Sequence, residues 1–243
     1  MKKGVVLELR AYAPRYMLPL RAVQSITQFL IGVYLCAMVG WHASQSFLPI
    51  AVYTDVLFDY VAFSGVSIRR QKTMEWVKSS VAGEGFIRRA ISQDFLIRMI
   101  ATMSGYLGVM VCGFIAEESS ISDILAPVVF IPFTIFVGNL VIIISHRVGG
   151  TVNTPFLICL PGIIGGEIIA VLLGLFLFGG TRIVDRMMFI KIWAAFAVLA
   201  ALAVATSIRL LRDFRTGYES GFSDSAGDAG NKEPEQAAKL GDL

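Results

Sequence analysis

PFLICLPGIIGGEIIAVLLGLFLF, residues 155–178, carries one charged side chain, Glu167, in twenty-four positions. A helix crosses the hydrocarbon core of a bilayer with roughly 20 mostly apolar residues, so this segment is long enough and apolar enough to have lipid as its solvent. Comparable stretches lie on either side of it, at 22–41, 47–66, 95–115, 123–145 and 188–209. Hydrophobic residues make up 56% of the 243-residue chain and charged residues only 16%, well short of the roughly one quarter charged in a soluble domain. The expected fold is an all-α, polytopic membrane bundle of six transmembrane helices. The second stretch is the least apolar, because Asp55 and Asp59 lie inside it.

The charges between the stretches set an orientation. Basic residues crowd the N-terminus and the segment 69–92, where Arg69, Arg70, Lys72, Lys78, Arg88 and Arg89 outnumber Glu75 and Glu84. Glu117, Glu118 and Asp123 occupy the next connection, His146 and Arg147 the one after, and Arg209, Arg212 and Arg215 close the last span. Lys and Arg accumulate on the cytoplasmic side of membrane proteins, which puts both termini in the cytoplasm. The connection holding Arg182, Asp185, Arg186 and Lys191 runs against this rule.

Three regions follow. Residues 1–21 mix Val5, Val6, Leu7, Leu9, Tyr12 and Tyr16 with Lys2, Lys3, Arg10, Arg15 and Arg21, the composition of a cationic segment lying in the headgroups or of a frayed basic leader. Pro14 and Pro19 are expected to break it before the membrane is entered. Residues 22–217 form the transmembrane domain, with 69–92 as its cytoplasmic loop. The tail 218–243 sets six carboxylates against two lysines and has no bulky aliphatic run; it is expected to be disordered. The formal charge of +3 thus understates how basic the rest is, as suits loops facing anionic lipid. No basic run interleaved with aromatics suggests nucleic acid. Glu8, Arg10, Pro14 and Arg15 interrupt the apolar region a cleavable signal would need.

Few residues offer chemistry. Asp55 and Asp59 stand four apart, on one face of a helix, and ionisable groups in a membrane face a cavity or a partner. They suit a cation site or a proton relay; alternatively the second span starts late, or is a short re-entrant or interfacial helix, leaving both in water. Glu167 follows Pro161-Gly162 and Gly165-Gly166. Gly162 and Gly166 have the spacing that lets helices pack closely, and with Pro161 they are the composition of a broken transporter helix. Glu167 in a bundle either lines or gates a path or pairs structurally with Arg98, Arg186 or Lys191. The segment 69–92, with Arg69, Arg70, Trp76, Arg88 and Arg89, suits docking of a partner protein or attachment to the membrane surface.

Several classes lack their signatures. The two histidines, His42 and His146, fall near opposite faces and cannot share one haem or metal. No G-x-x-x-x-G-K-[ST], G-x-S-x-G, H-E-x-x-H or C-x-x-C occurs, so no nucleotide-binding loop or hydrolase motif is carried by this chain. Cys36, Cys112 and Cys159 lie in separate spans and read as apolar packing residues. No enzymatic activity, metal or cofactor is expected.

The layout, with Arg88-Arg89-Ala90-Ile91 leading into Phe95-Leu96-Ile97-Arg98 and Phe136-Val137-Gly138-Asn139-Leu140 leading to His146-Arg147, resembles the permease subunits of polysaccharide-exporting ABC transporters. It does so over about half the chain. The resemblance implies six spans, both ends inside, and a cytoplasmic helix between spans two and three that meets a separate ATPase. It also implies an extracellular re-entrant segment between spans five and six, for which little room exists between Phe178 and Met188. The expectation is a multi-pass protein of a bacterial inner membrane, a permease-like subunit moving a solute or polymer with a partner ATPase and open to homo-oligomer formation. The alternative is a non-transporting membrane subunit of a secretion or conjugation machine, docked to assembly subunits.

Overall fold

Only Gly40 and Trp41 separate the first two helices, and the glycine makes the reversal possible. Its φ of +65° is left-handed, and its amide donates to the Cys36 carbonyl at 3.0 Å, closing the preceding helix in the usual glycine manner. The computed structural model describes residues 17–69, 83–116, 120–148, 154–179 and 187–212. Six helices hold nearly all of them: α1 (Met17–Val39), α2 (His42–Arg69), α3 (Gly83–Ile115), α4 (Ile121–Val148), α5 (Thr154–Phe178) and α6 (Met187–Arg212). There is no strand among the described residues. The cationic segment 1–21 is described only from Met17. The tail 218–243, Arg70, Trp76 and Arg186 lie outside the described residues, as do the side chains of Asp59, Arg69 and Arg88.

Element ends depart from the sequence reading in three places, one being α2, which begins at His42, five residues before 47. Pro19 does not stop the chain short of the first span but sits in the first turn of α1, where a missing N–H costs nothing because that amide has no intrahelical acceptor. The second half of 69–92 is not loop: α3 begins at Gly83 and runs unbroken into the span. The start of α4 is set by Ser120 and Asp123. The Asp123 carboxylate accepts from the Ser120 amide at 2.9 Å, the back-reaching half of a capping box.

Successive helices run antiparallel. Gly162 and Gly166 of α5 face Val141 and Val137 of α4 in reverse order, and Leu177 of α5 packs with Met188 and Ile192 of α6. The first turn of α1 and the last of α6 therefore share one end of the bundle with the 69–83 and 148–154 connections. Helix α5 stays helical through Pro161 and the glycines, so it is not broken there, and Pro161 withholds only the one donor that a proline lacks.

Five helices are long and apolar enough to cross a membrane; α2 is the exception. Its place in the bundle explains its composition. Helix α2 packs against α1, α3, α4 and α5, and Phe47, Leu48, Ala51 and Val52 are fully buried. A helix wrapped by protein need not satisfy lipid. The outer helices show the opposite pattern. In α4, 67% of the apolar window is buried, but in α6 only 17%, and Ile190, Trp193, Val198, Val204 and Ile208 of α6 are exposed. Helix α1 shows a similar stripe, Val23, Ile26, Leu30, Tyr34 and Met38. Apolar faces of this extent are foreign to soluble monomers and fit contact with acyl chains. Trp41, by contrast, sits at the bundle end, its ring centroid 3.7 Å from that of His42 and 6.3 Å from that of Phe178, as suits an interface aromatic.

The tightest contact joins α1 to α3. A Cβ on Gly32 would lie 2.0 Å from the Gly105 carbonyl oxygen, and one on Gly108 would lie 2.2 Å from that of Phe29. Backbone meets backbone here, which only glycine allows. Between the same helices the Ser104 hydroxyl lies 2.9 Å from the Ser25 carbonyl oxygen. Gly32→Val is expected to destabilise the fold by about 3 kcal/mol, at the upper end of overpacking costs because the obstacle is main chain. Gly165→Ala, with nothing within 4 Å, is expected to stay within about 0.5 kcal/mol of wild type. Thermal unfolding in detergent compares the two.

Candidate functional site

Among the polar side chains buried in the interior, one group gathers at a common level. Asp55 of α2 is 4% exposed, Arg98 of α3 5% and Asn139 of α4 0%. Charges in such a place are costly unless they are paired or hydrogen-bonded, and these are joined into a network. The Thr102 hydroxyl lies 3.0 and 3.2 Å from the two Asp55 oxygens and 3.1 Å from the Arg98 carbonyl, so its one proton serves carboxylate or carbonyl in turn. Arg98 donates through Nη2 to Asn139 Oδ1 and lies 4.8 Å above the Phe95 ring. Asn139 Nδ2 then donates to Ser207 Oγ at 2.9 Å and approaches Thr206 Oγ1 at 3.3 Å. Four helices are tied by one chain of bonds, α2 to α3 to α4 to α6.

Local sequence puts each member in place. A Cβ at Gly138 would lie 3.7 Å from Asp55 Oδ2, so the glycine gives the carboxylate room beside α4. Thr102 follows Arg98 by four residues, on the same face of α3. Asn139 interrupts an apolar run and points its amide at α6.

Farther from the basic end, Tyr106 stands eight residues past Arg98, about 12 Å along α3. It is fully buried, edge-on to Phe47 at 5.2 Å, and its hydroxyl shares a hydrogen bond with Thr134. Glu167 of α5 is half-buried next to Gly166, where a Cβ would meet Val137 and Leu48. Its Oε2 is buried and has no hydrogen-bond partner among the described residues. On the α1 side Arg21 is buried, donating to Gln24 Oε1 at 3.2 Å and lying 4.4 Å above the Phe58 ring. Gln28 is 2% exposed, and neither end of its amide is hydrogen-bonded among the described residues.

The residues singled out from sequence are thus placed unequally. Asp55 lies inside the bundle and not at the water, whereas the Asp59 side chain is outside the described set. Of the partners considered for Glu167, Arg98 is engaged with Asn139. Lys191 is exposed with its Nζ 5.2 Å from the Phe176 centroid, nine residues and about 13 Å along α5 from Glu167. Arg186 lies outside the described residues. Of the docking residues, Arg89 is exposed on the first turns of α3. His42 opens α2 and His146 lies in the last turn of α4, at opposite ends of the bundle. Sequence reasoning passed over Thr102, Tyr106, Thr134, Asn139 and Ser207 as site residues. Asn139 carried a usable signal, being an amide inside an apolar run; hydroxyl residues carry none, since they satisfy themselves on their own helix.

Compared with known proteins, the chain matches no family, no curated protein and no solved structure.

The network makes its own test. Asn139→Leu removes the acceptor from a buried guanidinium and is expected to cost about 3 kcal/mol. Ser207→Ala removes one of two neighbouring hydroxyls and is expected to cost about 0.6 kcal/mol, the average for a hydrogen bond between membrane helices. Chemical unfolding in mixed micelles ranks the two.

Proposed function

We propose that this chain is a multi-pass membrane protein of the permease-subunit type, crossing a bacterial inner membrane six times with its basic end in the cytoplasm. It moves a solute or polymer with energy from a separate ATPase that docks near 69–92. The observation that carries this reading is Glu167. An acidic side chain in the middle of α5, with a buried oxygen lacking a partner among the described residues, is an expense that packing alone does not require. It is half-buried beside Gly166, which packs on Val137 one turn from Thr134, and the Asp55–Arg98–Asn139 network continues from that level toward the basic end. Polar groups therefore run from the basic end to the level of Tyr106 and Glu167, where Phe47 and Leu48 pack beside them, and Ser44 and Gln45 are buried beyond that level. A path along these groups, open toward the basic end, is one of the states alternating access needs. Asp55 and Glu167 take the role of lining or gating it, with Asp59 one turn further along the same helix face as Asp55.

A second reading, a non-transporting subunit of a secretion or conjugation machine, is favoured by one feature. The bonds among Asp55, Thr102, Arg98, Asn139 and Ser207 close on one another, as structural glue does.

Two measurements separate the readings. Purification of the tagged protein from native membranes in mild detergent is expected to bring down a stoichiometric ATPase, lost when 69–92 is altered; a large set of other membrane and assembly proteins selects the scaffold instead. Glu167→Ala is expected to fold as wild type and to fail in complementing a deletion of the gene. Full complementation by that variant removes Glu167 from the mechanism. The crossing orientation is checked by labelling single cysteines at 116 and 150 with an impermeant reagent in intact cells, where only the first is expected to react.

A further inference from the structure

Cys36 and Cys112 sit 76 residues apart in sequence on parallel helices, and the glycine contact between α1 and α3 decides how near they come. Each cysteine follows a contact glycine by four residues, Cys36 after Gly32 and Cys112 after Gly108. Both therefore lie on the contacting faces, one turn beyond the place where backbone touches backbone. Their side chains pack together in a small cluster with Ala43 and Val109. A disulfide requires Cα atoms about 4.4–6.8 Å apart with side chains pointing together. Helices held at glycine-to-glycine contact come nearer to that demand than helices at ordinary spacing, about 8–10 Å between axes.

We propose that Cys36 and Cys112 are a disulfide-forming pair, a redox modification site that ties α1 to α3 beside the Gly40 turn. Cys36 is buried and Cys112 half-buried, and Cys112 stands three residues before the end of α3. This makes Cys112 the entering thiol. Its thiolate attacks a small or protein disulfide, forming a mixed disulfide and expelling one thiolate. Cys36 then attacks the Cys112 sulfur, forms the internal bond and expels the second. Two electrons pass from the pair to the oxidant, and the two protons lost by the cysteines end on its two thiols. The pair lies at the bundle end opposite the basic connections. The orientation proposed above puts that end outside the cytoplasm, where disulfides persist, but the pairing itself does not depend on the permease reading.

The test uses the full chain in its membrane and dithiodipyridine as the oxidant. After treatment the protein is denatured, its remaining thiols are alkylated, and its peptides are weighed. The expected product joins the peptides of Cys36 and Cys112 with no pyridyl group retained on either. It is cleaved by dithiothreitol, survives Cys159→Ser and is lost in Cys112→Ser. A stable pyridyl adduct on Cys112 with Cys36 recovered alkylated would show that the two do not pair. Recovery of both as alkylated thiols, or a link from either to Cys159, would equally overturn the proposal.

Discussion

Helix α2 cannot face lipid along its length, and the arrangement of the other helices follows from that constraint. It carries Ser44, Gln45 and Asp55 on buried positions, and hydrocarbon offers such groups no partners. Surrounding it with α1, α3, α4 and α5 replaces lipid by protein, where Asp55 finds Thr102. The surrounding helices can then turn apolar side chains outward, as the exposed stripes of α1, α5 and α6 do. Polar-in and apolar-out is the reverse of a soluble bundle, and both halves of the pattern have the same cause.

Close packing gives this arrangement its cohesion. Between helices in lipid there is no hydrophobic drive to associate, so contact area and interhelical hydrogen bonds must hold the bundle. Glycines supply the first. Gly32, Gly105 and Gly108 let α1 and α3 touch through main chain, and Gly162 and Gly166 bring α5 onto Val141 and Val137 of α4. The polar network supplies the second, tying α6 to the core through Asn139 and Ser207. The same α1–α3 contact that stabilises the bundle also brings two thiols together. A structural device and a site for chemistry arise from one choice of small residues.

Interior polar groups divide into two kinds by how well they are satisfied. Thr102, Arg98, Asn139 and Ser207 have partners and hold helices together. Glu167 has a buried oxygen without one among the described residues, and Gln28 has an amide in the same condition. Groups of the second kind lower stability while they stay empty-handed.

Read alone, the sequence determined the solvent, the helical class and the ends of most helices, because each is a sum of local preferences along a segment. The run at 155–178 needs no neighbour to be recognised, and α5 spans 154–178. It also placed Asp55 and Glu167 as candidates, since a carboxylate within an apolar run is visible in one dimension. What it left open was which faces meet. That Asp55 binds Thr102, that Arg98 serves Asn139 and not Glu167, and that Cys36 lies against Cys112 depend on the rotation and register of helices distant in sequence. Gly105 and Gly108 looked ordinary until Gly32 was set against them. Lipid exposes every apolar helix alike, so hydropathy carries no record of the partner. Only the packed structure, in which small residues permit one approach and side-chain volume forbids the others, decides it.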